Sequence, residues 1–186
     1  AVSPLSGSSG RDFLMTIDTD RLPPDEIGMA LSLTVKDCPL DSDDWSRRRK
    51  LLIQRMQRLG ATRHHWVTEW QQRGHPHLHL FAFFDLHLAK RVSPFTADAD
   101  PSDPLIRDEL VQHVTKGLSV ALTDAWLTLC ADLRAGPRSQ HVVALYGLRG
   151  WMQYVAKHSA RGAEHYQRQR HALPQGWQKS GRLWGK

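Results

Sequence analysis

The run His75-Pro76-His77-Leu78-His79 sets imidazoles at alternate positions, and a single acid, Glu69, stands shortly before it. In an extended strand successive side chains point to opposite faces, so His77 and His79 share one face while Leu78 and Leu80 share the other. Trp66-Val67-Thr68-Glu69-Trp70 reads as the strand before, and Gln71-Gln72-Arg73-Gly74 as the connection that folds the chain back. That hairpin brings Glu69 beside the histidine pair. One carboxylate and two imidazoles form a minimal donor set for a divalent ion that keeps open coordination positions. His75 has the same parity, but Pro76 separates it from the strand and leaves it in the turn. His64 and His65 lie near Glu69, and His65 shares its parity, so a ligand exchange within this group stays open.

A second reactive group lies far downstream, in Trp151-Met152-Gln153-Tyr154-Val155-Ala156-Lys157-His158. Nothing in this stretch breaks a helix, and helical neighbours three and four apart share a face, which puts Lys157 and His158 beside Tyr154. A phenol next to cationic groups is a candidate nucleophile. Its competitors are few. Tyr146 sits at a strand end, and Tyr166 lies in a charged tail without a lysine at the matching spacing.

These groups need a frame, and the pattern supplies one. Met29 to Lys36 predicts a first strand, Asp41 or Ser42 caps a helix ending at Gly60, and the histidine hairpin follows. Trp45, Leu52, Met56 and Leu59 fall on the inner face of that helix, while Arg47, Arg48, Arg49, Arg55 and Arg58 read mostly as a solvated outer face. Leu105 to Leu133 is helical in pattern but interrupted by Gly117, which predicts one kinked helix or two short ones. Gln140 to Tyr146 predicts a further strand, followed by the Tyr154 helix and a basic tail. The expected class is α+β: a central antiparallel sheet of about five strands with helices mainly on one face and the other face left for a substrate. Residues 1–26 read as a flexible N-terminal arm and 27–186 as one domain.

The chain has 186 residues, a formal net charge of +6 and eleven histidines, a balance that suits an anionic partner such as nucleic acid. Two cysteines, Cys38 and Cys130, are too few for a disulfide framework or a thiolate zinc site. No stretch matches a membrane span or a secretion signal, so a cytoplasmic protein is expected.

Glu69 with Pro76-His77-Leu78-His79, and Tyr154-Val155-Ala156-Lys157 as a Tyr-x-x-Lys motif, together resemble the HUH endonuclease superfamily, the rolling-circle replication initiators of plasmids and phages. Met29-Ala30-Leu31-Ser32-Leu33-Thr34 sits where that family has its first core strand. Gly181-Arg182-Leu183-Trp184-Gly185 resembles the ending of some plasmid and filamentous-phage initiators. The resemblance implies a histidine strand at the sheet centre with the tyrosine on a neighbouring helix, and Mg²⁺ or Mn²⁺ held by Glu69, His77 and His79. It further implies attack by Tyr154 on a phosphodiester of single-stranded DNA, an origin or hairpin, assisted by Lys157 and leaving a 5′-phosphotyrosine. Host helicase and polymerase would be the partners. His75, Trp151, His158, Arg161, Arg168 and Arg182 are candidate DNA contacts, with Trp177 and Trp184 as further stacking surfaces. A single-strand transposase of the same superfamily, or a non-catalytic nucleic-acid-binding module with a structural metal, are the alternatives.

Overall fold

Four long runs of alternating or apolar residues pair into one antiparallel sheet in the structure, a computed structural model that describes residues 22–23, 25–71, 73–145, 176–177 and 184–185. The strands are β1 (Glu26–Thr34), β2 (Ala61–Trp70), β3 (Pro76–Asp85), β4 (His141–Leu145) and a short β5 (Trp184–Gly185). Their spatial order is β4-β1-β3-β2-β5, so β3, the histidine strand, lies at the centre as expected. The expected first strand begins earlier than its alternation suggested, at Glu26, because Glu26 to Gly28 continue the ladder opposite Phe83 to Asp85. Of the expected arm, residues 1–21 lie outside the described residues.

Helix α1 (Ser42–Arg58) begins where the sequence placed it. The Asp41 carboxylate accepts hydrogen bonds from the backbone N–H of Asp43 and Asp44 at 3.0 and 2.8 Å, satisfying donors that the first helical turn leaves open. After Leu59 the chain turns at Gly60, whose φ of 97° is readily taken only without a side chain. A short helix α2 (Leu86–Ala89) and a 3-10 turn (Lys90–Val92) follow β3; neither has a clear sequence signal. Helix α3 runs unbroken over Arg107–Leu129, which corrects the expectation of a break at Gly117. The glycine is there for space. A Cβ built on it would come within 2.7 Å of Val92 Cγ1, so its bare surface lets the 3-10 turn lie against the helix.

Both long helices pack on one face of the sheet. Met29, Leu31 and Leu33 of β1 and Leu78, Leu80, Ala82 and Phe84 of β3 join Trp45, Leu52 and Met56 of α1 and Leu110, Val114, Leu118, Leu122 and Trp126 of α3 in a single core. Trp45 and Trp126 meet edge to face with centroids 5.4 Å apart. Their indole N–H groups are satisfied, Trp45 by the Thr68 hydroxyl at 3.0 Å and Trp126 by the Thr34 carbonyl at 3.1 Å. Trp177 belongs to this core too. It is 1% exposed, donates to the Pro39 carbonyl and packs against Trp70, so it is not available to stack on a base.

Two arginines of α1 also depart from the expected solvated face, since Arg48 and Arg49 are buried. Arg48 makes a forked pair with Asp132 and bonds Asp44, tying α1 to the end of α3. Arg49 lies over the Trp66 ring at 3.5 Å, and burial pushes its guanidinium down to about 10.

Candidate metal centre

The β2–β3 turn is closed by two backbone hydrogen bonds, Gln71 N–H to the His75 carbonyl and Gly74 N–H to the Gln71 carbonyl, both 2.9 Å, with Gly74 at a φ of 76°. That geometry fixes the register. Glu69 lies directly opposite His77, and Thr34 of β1 flanks His77 on its other side. One step along, His79 is paired with Val67 and with Ser32, which is in turn opposite His141 of β4. Two cross-strand rows therefore run side by side on the face away from the core: Glu69, His77 and Thr34 in one, Val67, His79, Ser32 and His141 in the other.

Within these rows the acid and the imidazoles meet. The Glu69 carboxylate lies 3.3 Å from His79 Nε2, and the rings of His77 and His79 are 4.3 Å apart at a 32° tilt. Glu69 and His79 are buried and His77 is partly so. This part of the sheet is thus less open than the pattern suggested. Burial, with the neighbouring His79 adding to it and the Glu69 carboxylate opposing, pushes His77 down to about 4. Its imidazole is neutral at physiological pH, the form that ligates metals.

Other side chains hold the rings in place. His79 Nδ1 is 3.0 Å from the Ser32 hydroxyl, and His77 Nδ1 is 3.3 Å from the side-chain nitrogen of Gln71. At His79 such a bond, accepted by the hydroxyl at the far nitrogen, would orient a ligating ring. Among the described residues, no group of three or more His, Cys, Asp or Glu side chains already stands in the geometry of a metal cage. In donor chemistry Glu69, His77 and His79 suit a divalent ion: one carboxylate and two imidazoles on adjoining strands, with Glu69 and His79 now in direct contact.

The remaining candidates fall apart in space or out of view. His75 is half-buried in the turn, and its buried Nδ1 has no hydrogen-bond partner among the described residues. His65 is buried opposite Phe81, one step beyond His79 on the same face, while His64 pairs with Ala82. Tyr154, Lys157, Trp151, His158, Arg161, Arg168 and Arg182 lie outside the described residues, as does the Trp184 side chain. Sequence reading missed Ser32 and Gln71 as partners of the histidines, Arg73 as the partner of Gln71, and His141 as an exposed neighbour on the same face. Their roles come from cross-strand register and turn shape, which no motif encodes.

A sequence model of the replication-associated protein ORF2 family matches residues 28–162, a span that includes Glu69, His77, His79, Tyr154 and Lys157. The chain belongs to that family. It is 42% identical over 183 residues to a replication-associated protein of Pseudomonas phage Pf3, an alignment covering 97% of this chain and 56% of that protein. Two proteins of Xylella fastidiosa, named only as candidate replication proteins, are 39% and 38% identical over 185 residues, covering 99% of this chain and 55% and 59% of theirs. The chain thus spans little more than half the length of these relatives. No solved structure matches it. Family membership bears out the resemblance to replication initiators, and among the described residues no helix is long and apolar enough to cross a membrane.

Proposed function

We propose that this chain carries a replication initiator's DNA nicking and joining chemistry, cutting and resealing single-stranded origin DNA to start rolling-circle replication of a phage or plasmid. The observation that carries this reading is the register that sets Glu69 opposite His77, with His79 adjoining, at the centre of the sheet in a member of a replication-associated family.

In this reading Glu69, His77 and His79 hold Mg²⁺ or Mn²⁺. Such an ion, when bound, supplies Lewis-acid neutralisation of a non-bridging phosphate oxygen and orients the phosphate. Tyr154 provides the nucleophile. Its phenolic oxygen attacks phosphorus, the bond from phosphorus to the 3′-oxygen breaks, and the proton given up by the phenol is balanced by one taken up at the departing hydroxyl. An ordinary tyrosine is mostly protonated at neutral pH, so Lys157 serves by stabilising phenolate and phosphate charge. The 5′-phosphotyrosine conserves the energy of the cleaved bond, and a later 3′-hydroxyl reverses the step without a nucleotide cofactor. A single strand suits the site because its flexible backbone can bend a phosphate towards these side chains, whereas a duplex holds its backbone in a fixed path. Arg161, Arg168 and Arg182, with His75, Trp151 and His158, are assigned to holding that strand, and host helicase and polymerase act on the freed end.

Incubation with Mn²⁺ and single-stranded origin DNA should give a covalent protein–DNA band that survives denaturation. Tyr154→Phe should abolish it. A wild-type protein that retains DNA without ever forming the adduct would instead be a binding module, and an adduct surviving in Tyr154→Phe would move the nucleophile elsewhere.

A further inference from the structure

His77 and His79 are both held at Nδ1, but by groups of unlike chemistry. The Ser32 hydroxyl at His79 can donate or accept by rotating. Gln71 cannot, because its amide is pinned: the Arg73 Nε–H donates to Gln71 Oε1 at 2.6 Å, which leaves the amide nitrogen facing His77 Nδ1. An amide nitrogen only donates, so His77 Nδ1 must accept and the ring proton sits on Nε2. Arg73 is anchored in turn, its Nη2 donating to the Val35 carbonyl at 2.7 Å and to the Thr34 hydroxyl at 3.2 Å.

This arrangement conflicts with ligation by His77. An ion at Nε2 displaces that proton to Nδ1, where it meets the Gln71 donor; an ion at Nδ1 displaces Gln71 outright. Either way the bond to Gln71 breaks. When Nδ1 carries the proton, the amide restores a bond only by turning over, and its nitrogen then faces the Arg73 Nε–H. We infer that Gln71 and Arg73 form a latch on His77, and that seating an ion releases it and frees the Arg73 Nε–H for an oxygen of the bound phosphodiester. The inference rests on the proposed ion site and adds a coupling between loading that site and arming an arginine for the substrate. Arg73 is exposed, and its Nη2 bonds keep the guanidinium at the site's edge while Nε is released.

The test is Mn²⁺ binding followed by calorimetry and by electron paramagnetic resonance, on wild type, Gln71→Met and Ser32→Ala. Gln71→Met removes the latch without changing charge and should bind Mn²⁺ more tightly, by roughly three- to tenfold, the worth of one neutral hydrogen bond. Ser32→Ala removes the acceptor that a ligated His79 needs and should bind more weakly. A merely structural role for Gln71 would weaken binding in both. Equal or weaker binding by Gln71→Met, with wild type binding normally, overturns the latch and leaves the ion site standing. Absence of Mn²⁺ binding in every protein overturns both. If Gln71→Met does not fold, wild-type nitrogen-15 spectra decide: Mg²⁺ should shift the Arg73 Nε–H and Gln71 side-chain resonances, and resonances that stay put overturn the inference.

Discussion

On the helix side of the sheet, Met29, Leu31, Leu33, Leu78 and Leu80 are each 0% exposed and pack with α1 and α3, while the residues that alternate with them on the other side of the same strands include Ser32, Thr34, His77 and His79. The contrast arises from the pleat alone, since a shift of one residue in β3 would exchange the two sets. Burial of the leucines therefore does more than stabilise the fold. It locks the register that holds two imidazoles and a carboxylate together, so the apolar face pays in advance for the polar one. The two faces should consequently fail in different ways.

The largest effect belongs to the polar face. Replacing His77 and His79 together by alanine should reduce Mn²⁺-dependent nicking by roughly a thousandfold or more, the equivalent of several kcal/mol of charge stabilisation, while the thermal midpoint changes little. A folded double variant that still nicks at the wild-type rate would remove both residues from the chemistry. The opposite face should give the mirror result. Leu80→Ala deletes buried volume at the sheet centre and should cost about 3 kcal/mol in a denaturant titration, with nicking by the remaining folded fraction unaffected. Lost nicking at full fold would show that the faces are not separable.

On the polar face acid should act through His77. His77 resists protonation until about 4, whereas an imidazole in the unfolded chain takes up a proton near 6.5. Between these values the unfolded state binds more protons. In the metal-free protein this contribution is fully present above about pH 6.5, is lost as the pH falls towards 4, and changes no further below that. The ring is partly exposed, so the loss should be on the order of 2 kcal/mol rather than the full shift. Chemical denaturation at a series of pH values checks it, and His77→Gln should flatten the slope in that window. An unchanged slope would place the titrating group elsewhere.

How legible each face was differs for the same reason. The hairpin and the meeting of Glu69 with His77 and His79 follow from period-two alternation and a turn rich in polar residues and glycine, all local signals, whereas the central place of β3 was implied only by the family resemblance. What the sequence concealed depends on partners distant in the chain. Arg48 and Arg49 look like surface charges until Asp132 and Trp66 arrive beside them. Ser32 gains its role only because β1 aligns it with His79, and Arg73 only because the turn swings it onto Thr34 and Val35. Tyr154 and Lys157 remain motif assignments, being outside the described residues.

Gly117 offers the finest test of the helix face, because there local propensity and tertiary packing disagree. Glycine inside a helix costs about 1 kcal/mol relative to alanine, so Gly117→Ala in an isolated α3 would stabilise. In the folded chain the added methyl would approach Val92 Cγ1 to 2.7 Å, closer than carbon atoms tolerate, and either Val92 or the 3-10 turn must shift. Gly117→Ala alone should therefore be neutral or destabilising. In a Val92→Ala background the obstruction is gone, and the same substitution should recover the helical gain. The coupling between the two changes, read from a double-mutant cycle in urea, should be about 1 kcal/mol. Simple additivity would mean that the glycine is not holding space for the turn and that the uninterrupted helix needs another cause.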